Sequence, residues 1–100
     1  LVRRRVAENP RTPITILEKL ATDTDQDVRI AVSENGSTPQ GLLFKLACTD
    51  CADVRYAIAE NSHTPRQILC LLMRDENPYV ADRAAKTMEW QQSIEYPRAA

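Results

Sequence analysis

Glycine, aromatic residues and long apolar runs are scarce in this chain, and each scarcity excludes a class of protein. Two glycines in 100 residues are too few for a sheet-rich or low-complexity chain. Five aromatic residues mean that a core must be built from aliphatic side chains. No apolar run approaches the roughly 18 residues of a transmembrane helix, and no signal peptide is visible. We therefore expect one domain with an aliphatic core and no membrane segment.

Cysteine and charge also point away from specialised chemistry. Three cysteines, an odd number, do not make a disulfide framework, so a reducing cytoplasm is the predicted compartment. The 13 basic and 14 acidic residues give a formal net charge of −1, with no segment that would attract DNA or a membrane. The sequence predicts no enzymatic activity, no cofactor and no metal.

What the chain does contain is a repeated segment. Three copies cover residues 2–27, 28–53 and 54–79, and a degenerate fourth copy over residues 80–96 is predicted to cap the C-terminal end. The starts at 2, 28, 54 and 80 give a period of 26 residues without one insertion. A fixed period between about 20 and 50 residues is typical of solenoids, which need three or more copies. Because the chain opens inside a repeat, we expect it to be part of a longer chain.

Each copy predicts two short helices, and the first carries one apolar face. Val28, Ala31 and Val32 lie at i, i+3 and i+4, a spacing that puts them on one side of a helix. Asp27 and Asp53 directly precede the Val-Arg pairs and are the predicted N-caps of their helices.

The second helix of each copy is predicted to begin at a Thr-Pro pair. Thr is a fair N-cap, and Pro is favoured at the first helical position. The Asn before each pair is predicted to end the first helix in the left-handed conformation. The apolar stripe of the second helices comprises Ile16, Leu17, Leu20, Leu42, Leu43, Leu46, Ile68, Leu69 and Leu72.

The repeated unit resembles the leucine-rich repeat variant family. The residues that carry the resemblance are Val2/Val28/Val54, Arg3/Arg29/Arg55, Asn9/Asn35/Asn61, Pro13/Pro39/Pro65 and Leu17/Leu43/Leu69. The resemblance implies an all-α fold, a right-handed α-solenoid of about three and a half two-helix repeats. HEAT-like helical repeats are the near alternative. Neither family dictates one activity, but repeat proteins of this kind mostly bind other macromolecules.

Two sets of identical residues are predicted to be structural. A planar guanidinium suits pairing with the acidic turn before each copy, where Asp23, Asp25 and Asp27 precede Arg29. Asn suits a turn. The alternative is a basic ridge that binds phosphate, which would make the chain a nucleic-acid-binding repeat. The two sets are the arginine ladder Arg3, Arg29 and Arg55, and the asparagine ladder Asn9, Asn35 and Asn61.

Positions that vary within the fixed frame form the predicted partner-binding surface. The third repeat position varies, and the seventh lies one helical turn further on the same side. Ile30 and Tyr56 place two apolar residues among charged ones, and aromatic residues are typical interface anchors. The alternative is that both simply pack between layers. Phe44, on the second helix of its copy, is a candidate for a second exposed apolar spot or for packing between repeats. The predicted surface comprises Arg4, Ile30, Tyr56, Asp82, Glu8, Glu34 and Glu60.

The remaining reactive residues are predicted to have no site role. Cys48 and Cys51 form a CxxC pair that we place at the end of a helix, not at an N-terminus that would lower a thiol pKa. Cys70 and His63 are the only other soft ligands, and no spacing joins them to the pair. A redox or metal role is kept as an alternative.

Together these patterns predict an interaction scaffold that binds another protein of unknown identity. Nucleic-acid binding through the arginine ladder is the first alternative, and a structural spacer within a longer chain is the second. Oligomeric state is not predicted by any pattern in the sequence.

Overall fold

The computed structural model is all-helical over the residues that it describes, which are the backbone of residues 2–95 and the side chains of residues 2–93. Within this range there are seven α-helices and no strand, so the predicted all-α class is confirmed. The helices are α1 (Val2–Glu8), α2 (Ile14–Leu20), α3 (Gln26–Glu34), α4 (Gln40–Ala47), α5 (Ala52–Glu60), α6 (Arg66–Leu72) and α7 (Pro78–Glu95).

The helices lie in two rows. The first row is α1, α3, α5 and α7, which pack side by side in chain order. The second row is α2, α4 and α6, each of which contacts the first-row helices before and after it. Six of the seven helices have nine residues or fewer, a length at which an isolated helix is marginal. Their stability therefore depends on packing against neighbouring helices.

The core between the rows is aliphatic, as composition predicted. Leu17, Val32 and Leu69 are fully buried, with 0% of each residue exposed. Val2 is 75% exposed, although the equivalent Val54 is completely buried. The difference arises because no helix of residues 2–95 covers the outer side of α1. None of the helices in this range combines the length and the apolar character needed to cross a membrane.

Helices α3 and α5 begin two residues earlier than predicted. Asp25, not Asp27, is the N-cap of α3, and its carboxylate accepts a hydrogen bond from the Asp27 N–H at 2.9 Å. Cys51, not Asp53, is the N-cap of α5. Asp27 and Asp53 lie instead in the first turn of their helices, where a carboxylate still interacts favourably with the helix dipole.

The prediction for the Thr-Pro pairs was wrong in a related way. Pro13, Pro39 and Pro65 are themselves the N-caps, and no side chain caps these helices. The threonine hydroxyl instead donates backwards to a carbonyl at the end of the preceding first-row helix, one of the groups that a helix end leaves unpaired. The three bonds are Thr12 to Val6 (2.5 Å), Thr38 to Val32 (2.6 Å) and Thr64 to Ile58 (2.7 Å).

The asparagine ladder turns the chain without a left-handed residue. Among residues 2–95 no residue has a positive φ, and Asn35 and Asn61 have φ of −73° and −71°. Each asparagine Oδ1 accepts a hydrogen bond from the N–H two residues later, the contact of an Asx turn. These bonds reach Arg11, Ser37 and His63, at 2.8–2.9 Å. The left-handed C-terminal prediction is therefore wrong.

The C-terminal segment forms one long helix, α7, rather than a two-helix unit. Trp90 is 52% exposed on this helix, so its side chain does not contribute to the core. Thr87 is buried in the position that asparagine occupies in the other copies. Tyr96, the last residue of the predicted cap, lies outside the described residues.

Candidate functional site

The predicted surface places one variable residue on each first-row helix. Arg4, Ile30, Tyr56 and Asp82 lie on α1, α3, α5 and α7, which are consecutive neighbours in the row. Tyr56 is 37% exposed. Ile30 is half-buried and packs against the core, as the layer-packing alternative anticipated for it. The centre of the surface is therefore apolar, and its two outer members are charged and exposed.

Charges at the two ends of this surface are paired within the chain. Arg4 Nε lies 3.3 Å from Glu8 Oε2, and Lys86 Nζ lies 3.1 Å from Asp82 Oδ2. Glu34 and Glu60 are also exposed, but neither makes an ion pair with any described residue. Two uncompensated carboxylates thus flank Ile30 and Tyr56 at the centre. We call Ile30, Glu34, Tyr56 and Glu60 the central patch.

The arginine ladder contacts the chain's own groups. Arg3 Nε donates to Asp23 Oδ2 at 2.7 Å, and Arg55 Nε donates to Asp75 Oδ2 at the same distance. Both carboxylates lie in the turn after the second helix of the arginine's own copy. The sequence pattern had predicted them in the turn that precedes that copy. The Arg55 pair is the more buried, with side-chain exposures of 12% and 8%. The Asp75 hydrogen bond raises the pKa of Arg55.

Arg29 has no such carboxylate, because Thr49 occupies the position that Asp23 and Asp75 hold in the other copies. Its guanidinium donates to the Asp23 carbonyl at 2.6 Å, and Arg55 donates to the Thr49 carbonyl in the same manner at 2.8 Å. The N–H of Asp25, followed by Arg3, lowers the pKa of Asp23. All three guanidinium groups are therefore directed at turns of the protein itself.

The CxxC pair spans two helix ends, which corrects its predicted placement. Cys48 is the C-cap of α4, and Cys51 is the N-cap of α5. The Val54 N–H lowers the pKa of the Cys51 thiol; burial opposes this shift, and the Arg29 guanidinium adds to it. Cys70 is exposed on α6, and none of the three cysteines forms a disulfide. No group of three or more His, Cys, Asp or Glu side chains in the described residues could hold a metal.

Three turns follow the first-row helices α1, α3 and α5, and they lie at residues 9–13, 35–39 and 61–65. We call the contact between the first two turns the first junction and the contact between the second and third the middle junction. The contact between the third turn and α7 is the last junction. The sequence treats the first and middle junctions alike, since asparagine recurs in all three turns.

The first junction is closed by three hydrogen bonds. Asn35 Nδ2 donates to the Ala7 carbonyl at 2.7 Å and to the Asn9 carbonyl at 2.9 Å. The Ser37 hydroxyl donates to the Pro10 carbonyl at 2.5 Å. Asn35 is correspondingly buried.

The last junction is closed by the same number of bonds from different side chains. The Thr87 hydroxyl donates to the Ala59 carbonyl at 2.6 Å. Gln91 Nε2 donates to the Ser62 and Thr64 carbonyls at 2.9 and 2.7 Å. Gln91 lies in the degenerate fourth copy, where the other copies have the proline of the Thr-Pro pair, so no sequence pattern pointed to it.

The middle junction is open. Within residues 2–95, no hydrogen bond joins the Asn61 side chain to the Ser33 or Asn35 carbonyl, which are the equivalents of the Ala7 and Asn9 carbonyls. A cleft of about 290 Å³ lies there instead. It is lined by Ser33, Glu34, Asn35, Gly36, Thr38, Gln40, Leu43, Asn61, His63, Thr64 and Pro65. Glu34 belongs to both the cleft and the central patch. Sequence reasoning missed this cleft.

No protein-family model, curated protein or solved structure matches the chain. The resemblance to the leucine-rich repeat variant family and the HEAT-like alternative therefore stay predictions.

Proposed function

We propose that this chain is a protein–protein interaction module built as a right-handed α-solenoid of about three and a half two-helix repeats. The order of contacts within the first row supports the solenoid, because each first-row helix packs on the next one along the chain. The threonine and asparagine hydrogen bonds that recur in all three turns support a repeated unit. We keep the leucine-rich repeat variant as its proposed type.

One observation carries the proposed function: the central patch combines a partly exposed aromatic residue with two carboxylates that have no partner in residues 2–95. Tyrosine buries a large area at low entropic cost and is common at the centre of protein interfaces. Uncompensated charges beside it supply orientation and partner discrimination. The paired charges at Arg4 and Asp82 suit the rim of such an interface.

Binding of nucleic acid through the arginine ladder has less support. Arg3 and Arg55 hold carboxylates, and Arg29 holds a backbone carbonyl, so phosphate would have to displace contacts within the protein. The near-neutral net charge also provides no long-range attraction. A purely structural spacer would leave the central patch without a role. The cytoplasmic location stays a prediction from cysteine usage.

Capture from a lysate of the source cells tests the proposal. The immobilised protein is compared with Tyr56→Ala and Ile30→Ala in nuclease-treated and untreated arms, and retained proteins are identified by mass spectrometry. We expect a stoichiometric protein that survives nuclease and is reduced at least fivefold by Tyr56→Ala, since truncating an interface anchor costs about 1–2 kcal/mol or more.

Tyr79→Ala is the matched control, because Tyr79 is 77% exposed on α7 and does not belong to the predicted surface. It should leave capture unchanged while removing a similar aromatic area. Equal capture by the wild type and Tyr56→Ala would contradict the proposal. Loss of the retained protein on nuclease treatment would favour the arginine ladder instead.

A further inference from the structure

The middle junction differs from its neighbours in the number of hydrogen bonds that its backbone carbonyls accept. In the first junction the Asn9 carbonyl accepts two donors, the Thr12 N–H at 3.0 Å and Asn35 Nδ2 at 2.9 Å. The equivalent Asn35 carbonyl accepts only the Thr38 N–H among the described residues, so its second lone pair takes no donor from them. A carbonyl oxygen has two lone pairs and accepts two hydrogen bonds where donors are present.

The carbonyl groups two residues earlier, at the ends of the first-row helices, differ between the junctions in the same way. The Ala7 carbonyl accepts from Asn35, and the Ala59 carbonyl accepts from Thr87. Ser33 occupies the equivalent position at the end of α3, and no donor within residues 2–95 crosses the junction to its carbonyl. Both neighbouring junctions therefore show that these carbonyls face the junction and take donors from across it. At the middle junction, Ser33 and Asn35, the residues that carry these two carbonyls, line an open cleft.

The charge in this cleft determines which donor would fit. Glu34 lines it and has no cation partner in the described residues. A ligand that satisfies two carbonyls and a carboxylate must supply several N–H donors and a positive charge. A guanidinium has five N–H donors in one plane and is permanently charged, whereas an ammonium is a compact point charge. The cleft volume of about 290 Å³ is at the lower end of the usual range for ligand pockets, and it suits one side chain.

We propose that the middle junction is a binding cleft for an arginine side chain of the partner protein. The guanidinium donates to the Ser33 and Asn35 carbonyls and forms an ion pair with Glu34. The inference rests on the proposed interaction function, because Glu34 also belongs to the central patch. It adds the chemistry of the partner, a basic segment that places one arginine in the cleft and an apolar residue beside Tyr56.

The test is a titration of the ¹⁵N-labelled protein, observed by NMR, with a small probe that carries only the side-chain chemistry. The probe is N-acetyl-arginine amide. N-acetyl-citrulline amide is the matched control, because it replaces the guanidinium with a neutral urea of nearly the same shape. N-acetyl-lysine amide tests the preference for the planar group. The reporters are the Asn61 side-chain NH₂ and the backbone N–H groups of Gly36 and His63.

We expect saturable shifts of these reporters with the arginine probe, at least fivefold weaker binding of the lysine probe and no saturable shift with the citrulline probe. Glu34→Gln should abolish the shifts. Glu8→Gln, which changes the equivalent glutamate beside the closed first junction, should preserve them. Glu34 is exposed and unpaired within residues 2–95, so its substitution leaves the fold intact.

Absence of saturable shifts with the arginine probe would overturn the inference. So would equal binding of citrulline or lysine, or undiminished binding to Glu34→Gln. The outcome is separable from the proposed function. Capture that depends on Tyr56 without arginine binding rejects only the cleft assignment. Arginine binding with capture that ignores Tyr56 rejects the central patch as the interface.

Discussion

The centre of the molecule lacks two contacts that both ends make. Arg3 and Arg55 each hold a carboxylate, but Arg29 between them faces Thr49 at the equivalent position. The first and last junctions are each closed by three side-chain hydrogen bonds, while the middle junction has none across it among the described residues. The central patch and the cleft lie in this less restrained part of the protein.

This difference teaches that an identical residue at an identical repeat position does not ensure an identical contact. Asn35 and Asn61 make the same Asx turn, yet only Asn35 reaches across to the preceding turn. In an array where each unit touches only its neighbours, a change at one position alters one junction and leaves the others intact. Local weakening at the centre is therefore compatible with a stable fold.

The largest expected effect concerns the arginine contacts. Arg55→Ala should lower the free energy of unfolding by about 3 kcal/mol, because it leaves the buried Asp75 carboxylate without its cation. Arg29→Ala should cost less, about 1.5 kcal/mol, the lower end of the range for a hydrogen bond that involves a charged group. Urea unfolding of both variants measures the difference. Equal losses would show that the carboxylate does not distinguish the ends from the centre.

The asparagines should show a smaller contrast of the same kind. Asn35→Ala removes two bonds across the first junction and one within its turn, and we expect a loss of about 2–3 kcal/mol. Asn61→Ala removes only the bond to the His63 N–H and should cost about 1 kcal/mol. Thermal and urea unfolding test this ranking. A loss for Asn61→Ala as large as that for Asn35→Ala would mean that the middle junction is closed in solution.

The smallest expected effect is a gain in the free energy of unfolding when Arg29 is given a carboxylate partner. Thr49→Asp gives Arg29 the carboxylate that its counterparts possess, and we expect stabilisation of about 0.5 kcal/mol. The lost hydrogen bond from the Thr49 hydroxyl to Leu46 offsets part of the gain. Thr49→Asn is the matched neutral control. The advantage of aspartate over asparagine, measured by urea unfolding, should shrink as salt is added; an advantage that salt does not change would rule out ion pairing.

Much of the fold could be predicted because it depends on local periodicity. The i, i+3, i+4 spacing of Val28, Ala31 and Val32 predicted a helix with one buried face, and all three residues are buried. The helix ends could not be predicted to the residue. Asp25 and Asp27 are equally good N-caps by type, and the side chain of Asp25 is the one that accepts the capping bond. Thr38 donates to the Val32 carbonyl instead of capping α4, which the residue type alone does not predict.

The exposure of Tyr56 was easier to predict than the cleft at the middle junction. Varying residues in a fixed frame identified Ile30 and Tyr56, and the exposure of Tyr56 follows from its position off the core face. The cleft exists because hydrogen bonds between two turns are missing. It could not be predicted, because the repeated Asn-x-x-Thr-Pro pattern predicts the same hydrogen bonds in every turn. The thiol environment of Cys51 was missed for a related reason, because the start of α5 and the approach of Arg29 arise from packing.

By itself the sequence determined the helical class, the pairing of short helices and the aliphatic core, since these follow from the spacing of apolar residues along the chain. Only the tertiary structure decided which polar side chain reaches which carbonyl in the neighbouring turn. Such bonds depend on the distance between turns 26 residues apart and on the side chains that separate them. Differences of an ångström there decide whether a junction is closed or open, because a hydrogen bond is lost steeply with distance and angle.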